Sequence, residues 1–357
     1  MMAQGLDKWA TWSEILAQPS VWRSLAQSHD FASTRAWIAD RRTEEVWFCG
    51  SGTSAYIGDI LVAGLEGQRG PFRLRSVPAT DLVARPRDYL HGRAPLVVNF
   101  GRSGNSAETL GTLEALDALA ASAPRLNITC NASSQLAKQT RHNDHAIILP
   151  EAAHDSGFAM TSSFSTMLLT ALMLFDATAE PQRLETAASQ FEAILPAIYD
   201  AVGPRPERVA FVGSGAMTFA AREAALKVME LSAGQIPCLW DSILGFRHGP
   251  KSFVDDQTRL VVFTGYDSHA SAYEADLIAE LKTQFPRSMV TVIGPGGDVP
   301  CDHPHGPLWS VPQAVLFAQV ASVVWADGLG MNVDDPFAGQ GTLTRVVADV
   351  KLYEVSP

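Results

Sequence analysis

The chain has 357 residues, 46% hydrophobic and 18% charged, with a net charge of −11. At about 150 residues per domain this is a two-domain globular protein with material for a large core, which excludes a disordered chain. Lys and Arg are scattered rather than gathered into a basic stripe, which excludes a nucleic-acid binder, so an anionic ligand must be held by local donors.

The first 22 residues carry Asp7, Lys8 and Glu14 and have neither the basic start nor the apolar run of a signal peptide. Residues 1–40 are expected to be an N-terminal helical extension, with its helix over roughly 6–40. Glu45-Val-Trp-Phe-Cys-Gly-Ser-Gly-Thr-Ser54 is an apolar run ending in a Gly-Ser-Gly turn, and Arg208-Val-Ala-Phe-Val-Gly-Ser-Gly-Ala-Met217 repeats it. Helical segments follow each, over 55–65 and 218–232. Further apolar runs come next, Leu96-Val-Val-Asn-Phe100 matching Leu260-Val-Val-Phe-Thr264, then Leu126-Asn-Ile-Thr129 matching Val290-Thr-Val-Ile293. Strands alternating with helices imply parallel sheets covered on both faces. The chain thus reads as α/β, with two doubly wound parallel-sheet domains over 41–190 and 191–340. The boundary is expected within 176–205, where Glu180-Pro181 and Gly203-Pro204-Arg205-Pro206 fall. The longest apolar stretch, Val311 to Val324, is too short to span a membrane and contains Gln313 and Gln319, so it reads as a buried helix.

Gly50-Ser-Gly-Thr is not a dinucleotide fingerprint: Ala55 stands where a third glycine is needed, and no acidic residue ends a second strand to take a ribose. No cofactor is expected. Cys49, Cys130, Cys238 and Cys301 lack the short spacing of a zinc site and suggest no disulfide framework, so reduced thiols of a cytoplasmic protein are expected and no metal is.

Phe100-Gly-Arg-Ser-Gly-Asn-Ser-Ala-Glu-Thr-Leu110 runs from a strand into a helix. Glycines admit close backbone approach, and free amides at a helix start favour an anion. Ser103 and Ser106 add hydroxyl donors. The same segment also fits a helix cap, with Asn105 at the N-cap and Glu108 three residues on, and both readings stand because they use the same helix end. Thr53 and Ser54 sit at the carboxyl end of their strand, where open α/β sheets bind ligands. Thr161, Ser162 and Ser163 form a further hydroxyl cluster before an apolar helix over 164–175.

Glu223, Lys227 and Glu230 fall at i, i+4 and i+7 and share one helix face, where an exposed ion-pair row is the ordinary reading. His248, in Gly245-Phe-Arg-His-Gly-Pro-Lys-Ser-Phe253 with Arg247 and Lys251 beside it, adds a group suited to proton transfer.

These residues resemble the SIS (sugar isomerase) domain family in tandem form. The match is carried by Gly50-Ser-Gly-Thr-Ser54, Arg102-Ser-Gly-Asn-Ser106, Thr161-Ser-Ser-Phe164, Leu226-Lys-Val-Met-Glu230 and Phe246-Arg-His-Gly-Pro-Lys-Ser252. The chain is similar to the isomerase half of glucosamine-6-phosphate synthase, and more so to AgaS-type proteins, an impression strengthened by Thr11-Trp-Ser-Glu-Ile15 with Gln18-Pro19. The resemblance implies flavodoxin-like three-layer sandwiches. It implies that Ser103 and Ser106 hold a phosphate with help from Thr53, Ser54, Arg102, Asn105 and Ser162. By the same resemblance Glu230 moves a proton between C1 and C2, Lys227 lines the sugar site, and His248 opens the ring, supplied by the neighbouring subunit of a homodimer. Residues 341–357 become a tail closing over the site, with Arg345 where the synthase has a lysine. Two departures are Gly101, where the family usually has Ser, and a Glu230–His248 interval two residues longer than in the synthase.

The activity implied is that of an amino-sugar-phosphate deaminase/isomerase, with galactosamine 6-phosphate the preferred substrate and glucosamine 6-phosphate a second. Alternatives are a tagatose-6-phosphate ketose/aldose isomerase, a fructosamine-phosphate deglycase, or a non-catalytic phosphosugar sensor. Partial burial would raise the Glu230 pKa and Lys227 would oppose that shift.

Overall fold

The computed structural model describes residues 5–68, 70–139, 141–265, 268–285, 289–340 and 350–355. Its two five-stranded sheets are parallel throughout. The first contains β1 (Glu45–Cys49), β2 (Arg73–Ser76), β3 (Leu96–Gly101), β4 (Arg125–Thr129) and β5 (Asp144–Ile148), in the order β2-β1-β3-β4-β5. The second contains β6 (Arg208–Gly213), β7 (Cys238–Ser242), β8 (Thr258–Phe263), β9 (Met289–Gly294) and β10 (Val299–Pro300). Its order, β10-β9-β8-β6-β7, is the same one traced from the other edge. Each sheet therefore reverses winding direction between its first and third strands, which opens a crevice at their carboxyl ends. The runs named from the sequence are the buried central strands, which read as nearly continuous apolar stretches because helices cover both faces. The strands that local pattern missed, β2, β5, β7 and β10, lie at or next to the sheet edges.

The duplication extends to backbone detail. Gly52 and Gly215 have φ/ψ of 56/−131° and 55/−126°, values that a Cβ would strain. Each opens a helix, α3 (Thr53–Leu65) after Gly52 and α9 (Ala216–Leu231) after Gly215. A Cβ on Gly50 would stand 2.6 Å from the Ser54 backbone, and one on Gly213 would stand 2.5 Å from the Met217 carbonyl. The first glycine of each turn thus lets a strand pass directly into a helix packed back upon it.

The chain gathers into two compact units. The first-sheet unit comprises Val21–His154, Ser162–Pro181 and Arg345–Pro357, and the second-sheet unit comprises Met1–Ser20, Asp155–Thr161 and Gln182–Thr344. The N-terminal extension is two helices, α1 (Ala10–Ser28) and α2 (Phe31–Asp40), the latter capped by the Asp30 carboxylate. The α1 residues of the AgaS-like signature stitch the second-sheet unit together. Thr11 donates to Asp334, Glu14 accepts from the amides of Ser156 and Gly157, and Gln18 Nε2 donates to Gln319 Oε1 at 2.8 Å.

The segment expected to hold the domain boundary carries a 21-residue helix, α8 (Gln182–Val202). Its apolar face, with Leu184, Phe191, Ile194, Ile198 and Val202 buried, belongs to the second-sheet unit. The Pro and Gly signals at 180–181 and 203–206 are the ends of this helix. The apolar stretch near 311–324 is a buried helix, α11 (Val311–Gly328), held to α8 by Gln313 Nε2 donating to the Ala187 carbonyl. Pro307–Gly328 is long and apolar enough to cross a membrane, yet 94% of an apolar 18-residue window within it is buried inside the protein, as in a core helix. In the first-sheet unit the helix α7 (Ser162–Phe175) is buried on every side through Leu174, so it too is a core element.

The Gly50 contact yields a stability prediction. Gly50→Ala forces atoms closer than 3 Å and should cost about 1–3 kcal/mol, read as a lower urea midpoint. Gly67→Ala, where a Cβ meets open space, should leave the midpoint unchanged.

Candidate active site

At the carboxyl end of the first sheet, β3 leads into α6 (Ala107–Leu119) through Arg102-Ser-Gly-Asn-Ser106. Gly104 has φ +63°, and a Cβ there would stand 2.5 Å from Ser134 Oγ. The loop after β4 grips this turn. Asn131 Nδ2 donates to the Ser103 carbonyl at 3.0 Å, and the Leu136 amide donates to the Gly104 carbonyl at 3.1 Å. A trans peptide points its N–H opposite its C=O, so with these carbonyls turned to the loop, the amides of Gly104 and Asn105 point the other way. The Asn105 amide leans on Ser103 Oγ at 3.3 Å, and Ser103 itself is exposed.

The N-cap of α6 is Ser106 rather than Asn105: Ser106 Oγ accepts from the Thr109 amide at 3.2 Å. Asn105 is drawn away because its Oδ1 accepts from the Gln135 amide at 2.8 Å. Gln135 lies 30 positions on, so no local cue could reveal the competition. Ser106 still keeps a hydroxyl proton, shared with Thr109 Oγ1 at 3.0 Å. Gly101 stands where the family usually has Ser because the space is filled: a Cβ there would lie 3.1 Å from Leu136 Cδ2 and 3.2 Å from Gly104 Cα.

Thr53 and Ser54 open α3 at the neighbouring strand end, both buried, so they and the Ser103–Ser106 turn share the winding-reversal point of the first sheet. Ser162 opens α7 and is fully buried. Thr161, preceding it, is tied by its amide and hydroxyl to the Asp155 carboxylate. Arg102 is half-buried. Arg345 lies outside the described residues. Of the C-terminal tail, residues 350–355 are described, and Leu352 packs over Gly111 of α6 within the first-sheet unit.

The second-sheet unit carries the charged row on α9. It is not an exposed ion-pair row. Glu223 and Lys227 are 0% and 1% exposed, and only Glu230, at 22%, reaches solvent. Lys227 Nζ lies 3.3 Å from Glu223 and 2.7 Å from Glu230. Burial by itself would lower the Lys227 pKa, but the two carboxylates outweigh burial and raise it above the ordinary value. Lys227 is thus a fixed cation beside a partly open carboxylate. Glu223 is a member of the site that sequence reasoning placed on the row without assigning it a task. Its i, i+4 spacing to Lys227 was visible, whereas its burial was not.

His248 ends a 3₁₀ turn (Gly245–His248) and is exposed. A Cβ on Gly245 would stand 2.4 Å from Asp241 Oδ1. Phe246 anchors the turn in the core of the second-sheet unit. The cations flanking His248 serve the scaffold: Arg247 bonds Glu280 at 2.8 Å and Lys251 pairs with the same carboxylate. Glu280 is held below the usual carboxylate range, first by the Lys251 hydrogen bond.

The second-sheet counterpart of the Ser103–Ser106 turn lies partly outside the described residues, and the residue just before it is held by a carboxylate. Strand register makes Gly265 the equivalent of Arg102, and its amide donates to both oxygens of the buried Glu274 carboxylate at 3.2 Å. Asp267 lies outside the described residues. At this strand end a separate cavity of about 420 Å³ is lined by Ser214, Thr218, Ser242, His269 and Tyr273. Among the described residues no cluster of three or more His, Cys, Asp or Glu side chains is arranged for a metal ion.

A strand-end hydroxyl turn in one parallel-sheet unit and a buried Glu-Lys-Glu row in its structural duplicate define a SIS-type α/β protein, and the SIS domain profile matches residues 41–177. The chain belongs to the AgaS branch of this family. It is 36% identical to D-galactosamine-6-phosphate deaminase AgaS of Escherichia coli, over 96% of each chain. The corresponding protein of Shewanella sp. ANA-3 is 35% identical over 96% of this chain and 91% of its own. The crystal structure of tagatose-6-phosphate ketose/aldose isomerase from E. coli superposes with a TM-score of 0.86 at 33% identity, covering 96% of this chain and 98% of that one.

The Lys227 row predicts a thermodynamic signature. Lys227→Met leaves Glu223 buried without its cation and should destabilise the fold by about 3–5 kcal/mol, whereas Lys227→Met with Glu223→Gln should recover most of the loss. Because folding raises the Lys227 pKa, its contribution is complete below the ordinary lysine value of 10.5 and disappears as pH rises through the folded value. Alkaline unfolding profiles of the native protein and the double variant should therefore diverge only above that range.

Proposed function

We propose that this protein is an amino-sugar-phosphate deaminase with isomerase chemistry, acting on galactosamine 6-phosphate. The observation that carries the reading is the α9 row, where a buried, protonated Lys227 sits beside a Glu230 carboxylate that remains open to solvent. A phosphosugar sensor would need a phosphate holder but not this costly buried ion triad. The names of the E. coli and Shewanella relatives support the same substrate.

In this reading Ser103, Ser106 and the outward amides of Gly104 and Asn105 bind the phosphate, with Thr53, Ser54, Arg102 and Ser162 completing that end. His248 carries the proton that opens the ring at O5–C1. Glu230 removes the C2 proton of the open aldose and returns it to C1, while one proton leaves the C2 nitrogen and one is taken up at O1, turning the aldehyde and C2 amine into a C1 alcohol and a C2 imine. Lys227 stabilises the Glu230 carboxylate before it takes the proton and after it has given it back. Water adds to the imine carbon and ammonia leaves, giving the ketose tagatose 6-phosphate. Without an amine at C2 the same proton shuttle interconverts aldose and ketose, which fits the name of the isomerase structure.

The exposure of His248 supports a homodimer in which each copy lends this ring to the other's site. A phosphorylated substrate is retained inside the cell by its charge, and together with four free cysteines this favours a cytoplasmic enzyme.

A coupled ammonia assay over a panel of amino-sugar 6-phosphates tests the substrate, with galactosamine 6-phosphate expected to turn over fastest. Glu230→Gln should reduce that turnover by about 10²–10⁴-fold while sugar-phosphate binding persists, and full activity would refute the assignment. Mixing inactive Glu230→Gln with inactive His248→Ala should restore a fraction of activity if sites are shared between copies. No recovery at any mixing ratio would leave each site within one chain.

A further inference from the structure

Two asparagines lie buried in adjacent central strands of the first sheet. Asn99 of β3 and Asn127 of β4 are direct partners across the first sheet, and both are buried. Asn99 Nδ2 donates to Asn127 Oδ1 at 2.8 Å, and Asn127 Nδ2 donates to the Leu136 carbonyl at 3.2 Å. Leu136 is the residue whose amide binds the Gly104 carbonyl. Two residues along β4 on the same face, Thr129 Oγ1 accepts from the Asn131 amide at 3.2 Å, and Asn131 grips the Ser103 carbonyl. The strand therefore ties down both ends of the 131–136 loop that turns the cradle carbonyls away from a ligand.

The second sheet is an internal control. Its register makes Val262 the equivalent of Asn99 and Val292 the equivalent of Asn127. The same backbone thus closes with two valines in the unit where the Gly265 amide, at the end of the matching strand, is taken by Glu274. A buried amide left unpaired costs about 1–3 kcal/mol, so the asparagine pair is not the economical choice for packing alone.

We propose that Asn99 and Asn127 are positioning residues for phosphate: they hold Leu136, which sets the Gly104 peptide. This rests on reading the Ser103–Ser106 turn as the phosphate holder. The test is Asn99→Val with Asn127→Val, which copies the valine pair that this chain already accommodates. The KM for galactosamine 6-phosphate and the dissociation constant of inorganic phosphate should each rise about 10-fold, equal to about 1.4 kcal/mol. The kcat should stay within about 2-fold, since the proton shuttle is untouched. Native values of both constants, or a fall in kcat at unchanged KM, would overturn the proposal. If the double variant does not fold, Asn131→Ala, on the outer side of the loop, should raise the same two constants, and native values there would overturn it equally. Failure of the native protein to bind inorganic phosphate in calorimetry would instead refute the phosphate reading itself. Phosphate binding without sugar turnover would refute only the reaction, leaving the clasp measurable.

Discussion

Where the first strand of each sheet passes straight into the helix packed against it, there is no room for a Cβ on the first glycine of the turn, and the residue two positions on takes a positive φ. Gly50 with Gly52, and Gly213 with Gly215, meet that constraint with nearly identical backbone angles. The starts of α3 and α9 at the carboxyl edges of their sheets follow from it.

The two copies spend polar groups in different places. In the first-sheet unit they lie under and around the strand-end turn: an asparagine pair, a clasping loop and a serine N-cap. In the second-sheet unit the positions matching the asparagine pair are valines and the Gly265 amide is bound by the chain's own Glu274 carboxylate, while polar groups concentrate on α9 and the His248 turn. One backbone thus serves two roles because ligand-facing chemistry sits at strand ends and on one helix face, away from the residues that define the sheet.

Much of this was legible locally. The Gly-Ser-Gly repeats, the apolar central strands and the hydroxyl-rich turn are contiguous in sequence, and each is governed by short-range sterics. The edge strands were not legible, since they are short and their pairing supplies what their composition lacks. The repeat was read as matched strings, and aligning those strings end to end would set Asn99 against Phe263. The hydrogen-bonded register sets it against Val262, and a one-residue slip of this kind moves every side chain to the opposite face. The Asn105 cap failed for a related reason, because Gln135 competes for its side chain from another loop.

By itself the sequence determined the α/β class, the duplication, the positions of Ser103, Ser106, Lys227, Glu230 and His248, and the kinship with the SIS family. These depend on glycine placement, apolar period and short motifs, all written in neighbouring residues. Only the tertiary structure decided that Lys227 is a buried cation between two carboxylates, that Arg247 and Lys251 hold a turn through Glu280, and that Asn127 reaches the cradle through Leu136. Burial and long-range hydrogen bonds depend on what packs against a residue, and that is settled when distant segments close on one another.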